Sequence, residues 1–211
     1  MKRARSWLIA ASYYHGDRDL RFICYWIALN AMFGGFSAQS SQKAYSRGPT
    51  SFLDFVDRDI LAFTRRVCDL DRGGLIPKRL TDDIARTGID IIRDKWHFKP
   101  YWAAGSTEAV EESLRWKVKD ARSALKAKRY ADYLAILLAR IQEIRNHVLH
   151  GASTYAVSKN RQSVEAAVTV LSVVVPTFVE LIKQPWAEAA FLWPPIEKPR
   201  AGTPQNPDSG G

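Results

Sequence analysis

Arg145, Asn146, His147 and His150 crowd the segment Arg145-Asn146-His147-Val148-Leu149-His150-Gly151. A guanidinium holds two phosphoryl oxygens at once and stabilises the charge that builds in a five-coordinate transition state. An imidazole takes a proton from a ribose 2′-hydroxyl, or gives one to the leaving 5′-oxygen. With the substrate's own hydroxyl as nucleophile, this chemistry calls for no metal. His147 and His150 are three residues apart, and no carboxylate or cysteine cluster in the sequence completes a metal site around them. No cofactor is expected.

Helix arithmetic limits what one chain can do with these groups. On a regular helix Arg145 and His150 point about 140° apart, so they do not face one point. Asn146 and His150, four residues apart, share a side, and His147 shares a side with Arg140 and Glu143. Gly151 suits the position that ends the helix. His150 would then occupy the last turn, where the helix dipole favours the imidazolium and raises the histidine pKa. The bland alternatives are a surface ion pair for Arg145 and a polar cap on its own helix for His150.

The element that carries these residues is an apolar-striped helix over Tyr130 to Leu149, with Leu134, Leu137, Leu138, Ile141, Ile144 and Val148 inward. Periodicity predicts helices along the rest of the chain as well. One runs from Asp17 to Phe33 before Gly34-Gly35 and is apolar on two faces, one of which could meet a partner subunit. Residues Gly35 to Pro49 read as a loop, and Ser51 caps a helix that runs through Leu70 to the Gly73-Gly74 break. Thr81 to Trp96 is a shorter helix, and His97 to Gly105 a packed loop. Thr107 to Lys126 is amphipathic, and a final helix near Arg161 to Lys183 should kink at Pro176. The expected fold is an all-α helical bundle over residues 1–193, followed by a disordered tail over 194–211 that holds five of the ten prolines.

Composition narrows the setting. A chain of 211 residues with 46% hydrophobic residues can bury a core without staples. Cys24 and Cys68 sit in apolar helical contexts and read as free thiols of a reducing compartment. The apolar stretch Trp7 to Ala11 is too short for a signal-peptide core. Val164 to Ile182 contains Thr169, Ser172, Pro176 and Thr177 and reads better as a core helix than as a membrane span. The expectation is a cytoplasmic protein that does not act at a membrane.

The formal net charge is +9. Arg115, Lys117, Lys119, Arg122, Lys126, Lys128 and Arg129 stand against Asp120 alone, so one short stretch holds +6 of it. Such a face binds phosphate through counterion release, which makes RNA the expected partner. A solvated lysine-rich face without a partner is the competing interpretation.

The motif segment resembles the signature of the HEPN superfamily, in which an arginine, commonly followed by asparagine, precedes a histidine by four to six positions at a helix end. Arg145-Asn146-x3-His150 fits the form with three intervening residues. Far upstream, Arg21 to Gly34, with Trp26 and the ending Leu29-Asn30-Ala31-Met32-Phe33-Gly34, is similar to the first core helix of the Apea-like HEPN subgroup. The resemblance implies a helical bundle paired about a two-fold axis, with Arg145 of one subunit facing His150 of the other. It also implies cleavage of RNA to a cyclic phosphate and a 5′-hydroxyl, in toxin–antitoxin, abortive-infection or antiviral defence settings.

On this reading His150 is the general acid/base, Arg145 the clamp on the transition state, Asn146 an orienting residue and His147 a phosphate contact. The basic stretch Arg115 to Arg129 forms the approach for RNA, and an antitoxin or other defence-system protein is an expected partner. In the subgroup partnered by a nucleotidyltransferase a tyrosine follows the histidine by two positions; here Ala152 stands there, and Tyr155 is the nearest tyrosine beyond it. A non-catalytic RNA- or nucleotide-binding dimer, or a regulatory interaction subunit, would fit the same sequence without the chemistry.

Overall fold

The computed structural model describes residues 1–44, 52–98, 100–101, 105–149 and 161–184, with the side chains of these outside 34–59. Among the described residues the chain forms eight α-helices and one 3₁₀ turn, with no strand. In chain order these are α1 (Lys2–Tyr13), α2 (Arg18–Ala44), α3 (Phe52–Asp69), α4 (Leu75–Arg79), α5 (Asp82–Arg93), the 3₁₀ turn η1 (Lys95–His97), α6 (Glu108–Lys126), α7 (Tyr130–Leu149) and α8 (Arg161–Ile182). The architecture is an all-α bundle.

The motif helix α7 lies between α3 and α6, while α8 packs against α2 and α5, and α5 also reaches α6 and α7. Helix α7 buries Leu134, Leu137, Leu138, Ile141 and Ile144, the stripe that its 3.6-residue periodicity predicts. Edge-on aromatic contacts tie three helices together: Phe33 of α2 meets Phe63 of α3 at 5.7 Å between centroids, and Phe63 meets Phe178 of α8 at 5.8 Å. Helix α8 is long and apolar enough to cross a membrane, with a mean hydropathy of 1.8, but 61% of its apolar window is buried against the other helices. It runs through Pro176 without ending. Cys24 is buried and Cys68 half-buried, both as free thiols.

Two boundaries and one short helix differ from the sequence expectation. Helix α2 continues through Gly34-Gly35 to Ala44, where a loop was expected. Each glycine costs only about 1 kcal/mol against alanine in a helix, and no proline follows before Pro49 to stop it. Helix α5 ends at Arg93 rather than Trp96 because Asp94 is extended (φ −67°, ψ 109°) and its Oδ1 accepts the Trp96 backbone N–H at 3.0 Å. The short α4 was not expected. Asp71 creates it by accepting the backbone N–H groups of Leu75 at 2.6 Å and Ile76 at 2.8 Å, while Gly74 takes the left-handed φ of 63° that the turn requires.

The α5–α7 crossing is close because Gly88 has no side chain. A Cβ there would lie 2.0 Å from the Tyr133 hydroxyl oxygen and 2.9 Å from Leu137 Cδ2. Tyr133 is fully buried and donates its hydroxyl to the Ala85 carbonyl at 3.0 Å. After the turn η1, Phe98 joins a small apolar cluster with Val110 and Leu114 of α6, against which Tyr101 packs.

Candidate functional site

Helix α7 carries the motif to the edge of the bundle. Ile141 and Ile144 anchor it, and Arg145, Asn146 and His147 follow in the last turns, each half-buried. His150, Gly151, Ala152 and Tyr155 lie outside the described residues, as does the tail over 194–211.

The Arg145 guanidinium rests over the Trp26 ring of α2, 5.3 Å from its centroid, and donates from Nη1 to the Asn146 Oδ1 at 2.9 Å. The two sequence segments that carried the family resemblance, far apart in the chain, therefore meet at this contact. Arg145 forms no ion pair among the described residues. Burial pulls its pKa below the ordinary value, opposed by the nearby Glu143. A guanidinium remains cationic at neutral pH despite such a shift. Its Nε and the Trp26 Nε1 are both buried with no hydrogen-bond partner among the described residues.

His147 faces away from Arg145, toward η1. Its Nδ1 lies 3.1 Å from Nδ1 of His97, which is only 2% exposed. Arg140, two helical turns earlier on the same face of α7, is also buried; its Nη1 donates to the His97 carbonyl at 2.5 Å, and its guanidinium stacks over the Phe98 ring at 4.6 Å. Helix α7 thus grips η1 by the backbone with Arg140 and by the ring with His147. On the other side of His97, its Nε2 lies 3.6 Å from the Asp94 Oδ2, which also accepts the Ser163 hydroxyl at 2.8 Å.

One Nδ1 of the pair donates and the other accepts, according to tautomer. The Asp94 carboxylate, 3.6 Å from His97 Nε2, favours the tautomer with the proton on Nε2, in which His97 Nδ1 is the acceptor. Burial pushes the His97 pKa down to about 4; Asp94 opposes the shift, and His147 and Arg140 add to it. Burial also lowers the pKa of His147, against Glu143 and Asp94. Both rings are therefore neutral at pH 7. The sequence reading placed His147, Arg140 and Glu143 on one side of the helix but did not find His97, Asp94 or the role of Arg140. The one signal for them was Asp94 two residues before Trp96, a pattern that forms a side-chain turn.

The basic stretch is divided by the fold. Arg115, Lys117, Lys119, Arg122 and Lys126 are exposed on α6, and Lys128 and Arg129 occupy the turn after it. Arg115, Lys119 and Arg122 line a cleft of about 500 Å³ together with Arg93 and Lys95. Lys117 and Arg129 open onto a different groove with Arg65, Asp120 and Asp132, where Asp132 neutralises Arg129 at 2.7 Å and Arg65 at 3.4 Å. Lys128, at a left-handed φ of 56°, lines a third depression. Among the described residues no group of three or more His, Cys, Asp or Glu side chains is arranged to hold a metal ion.

No match was found. No family model fits this chain, and no curated protein or solved structure is significantly similar to it.

Proposed function

We propose that the chain is a metal-independent endoribonuclease of HEPN type, active as a homodimer in a toxin–antitoxin, abortive-infection or antiviral defence setting. The observation that carries this reading is the half-buried Arg145 at the end of α7, stacked on Trp26, braced by Asn146 and paired with no carboxylate among the described residues. A guanidinium held by an aromatic face and an amide oxygen, with no ion pair among the described residues, is available to a phosphate.

Arg145 clamps the phosphoryl oxygens and stabilises the charge of the transition state. His150 moves the proton, taking it from the 2′-hydroxyl or giving it to the leaving 5′-oxygen. Asn146 fixes the guanidinium through its carbonyl oxygen. Because Arg145 and His150 would point about 140° apart on a continuous helix, the partner subunit supplies the missing member of each pair. The cytoplasm, with abundant RNA and a reducing potential, suits both the substrate and the free thiols.

The test is cleavage of a labelled single-stranded RNA in the presence of EDTA. Arg145→Ala and His150→Ala should each lower the rate by about a hundredfold or more, with 2′,3′-cyclic phosphate ends in the wild-type product. Wild-type rates from both variants, at unchanged helical content, would overturn the assignment of the site. A requirement for added divalent metal would overturn the scheme of attack.

A further inference from the structure

We infer that the cleft between the C-terminal end of α5, the turn η1 and helix α6 is a binding site for single-stranded RNA. It is formed by residues that the motif does not include. Arg93 and Lys95 come from one wall and Arg115, Lys119 and Arg122 from the other, with Glu111 as the single carboxylate of the lining. On α6 the three cations are four and then three residues apart, so they form one row along the helix. Arg115 and Arg122 are exposed and form no ion pair among the described residues. A cleft of about 500 Å³ with five cations and one anion takes a polyanion.

The aromatic residues beside it select a single strand over a duplex. Trp116 and Trp96 are each 51% exposed, unusual for indoles, and each has a lysine of the cleft against its face. Lys119 Nζ lies 4.3 Å from the Trp116 ring centroid; Lys95 Nζ lies 5.7 Å from Trp96 and 5.4 Å from Tyr101. Tyr101 meets Trp96 edge-on at 5.3 Å. Cations that follow a backbone, bracketed by flat apolar faces on which bases stack, are what an unpaired strand requires. In a duplex the bases are stacked on one another and present no face to an indole.

The same three-residue turn joins this cleft to the motif helix. Lys95 lines the cleft, with Trp96 exposed beside it, while His97 turns inward to His147 and Arg140. A strand held in the cleft is therefore recognised on the outer side of a turn whose inner side α7 grips. The choice of RNA among single-stranded polyanions rests on the ribonuclease reading; the cleft and its preference for an unpaired strand do not.

Fluorescence anisotropy with a labelled 2′-fluoro oligouridylate tests this on the full chain, because the probe lacks the attacking hydroxyl and reports binding alone. Affinity should fall with salt, with a slope of log K against log salt no steeper than about −3.5 for five phosphate contacts. Arg115→Glu/Arg122→Glu should weaken binding by tenfold or more and reduce that slope. Trp116→Ala should weaken it by about tenfold. Lys2→Glu/Arg5→Glu, an equal charge change on α1, should have little effect. Unlabelled single strand should displace the probe better than a duplex of equal length. Unchanged affinity in Arg115→Glu/Arg122→Glu, or equal displacement by the duplex, overturns the proposal. If the cleft variants bind normally while Arg145→Ala has lost cleavage, this site alone fails; if they lose binding while Arg145→Ala cleaves as wild type, the nuclease reading alone fails.

Discussion

The Nδ1 atoms of His97 and His147 lie 3.1 Å apart, joining the turn after α5 to the last turns of the motif helix. One Nδ1 must carry a proton and the other must not, so the contact is lost once both rings are protonated there. The pair ties the bundle's stability to pH.

His97 has its pKa lowered by burial from 6.5 to about 4. Between these values the unfolded chain holds a proton on this residue that the folded chain does not. Stability is therefore fully present above pH 6.5 and is lost as pH falls toward 4, by about 2–3 kcal/mol for this group. Urea denaturation at pH 7.0, 5.5 and 4.5 measures the slope. A His97→Gln variant should show a flatter profile over that range. An identical profile in the variant would remove His97 as its origin.

The pairing of Arg145 with His150 across subunits can be tested by mixing. On the proposed reading, Arg145→Ala and His150→Ala should each be nearly inactive, whereas a mixed dimer would hold one intact pair. Half of randomly exchanged dimers are mixed, so co-refolded protein should recover about a quarter of wild-type cleavage. No recovery, with dimers verified by native mass spectrometry, would mean that both groups act within one chain.

Trp26 is the platform under Arg145, 5.3 Å from the guanidinium carbon. Trp26→Phe keeps an aromatic face and should retain most cleavage. Trp26→Leu removes the face and should lower kcat by about tenfold with a smaller change in KM, the loss of about 1–2 kcal/mol of positioning. Equal kcat in the two variants would show that the ring does not position Arg145.

Gly88→Ala should destabilise the fold by about 1–3 kcal/mol, even though alanine is the better helix former. The new Cβ would meet the Tyr133 oxygen at 2.0 Å. Tyr133→Phe removes that oxygen, so the double variant should lose less than the two single changes added together. Thermal unfolding of the four proteins gives the coupling, and strict additivity would contradict the contact.

Much of the bundle was legible in the residues. The 3.6-residue apolar repeat marked α6 up to Lys126, where it ends, and α7 from Tyr130 through Leu149, the last residue described there. Burial of a stripe is decided by local spacing, which the sequence carries. The continuation of α2 past Gly34-Gly35 and the end of α5 were not legible from the same signal. Gly34-Gly35 lowers helix propensity without forbidding the helix, and Asp94 stops α5 with a side-chain bond that hydrophobic spacing does not encode.

For the site, the sequence by itself determined which chemical groups are present and on which side of their helix they stand: Arg145 and Asn146 adjacent, Arg140 and His147 on one face, three cations in a row on α6. Only the tertiary structure decided what those faces meet. Trp26 under Arg145, His97 against His147 and Arg93 opposite Arg115 each join residues tens of positions apart. Periodicity fixes the direction of a side chain relative to its own helix axis, whereas its partner depends on how helices cross, which is set by the packing of the whole core.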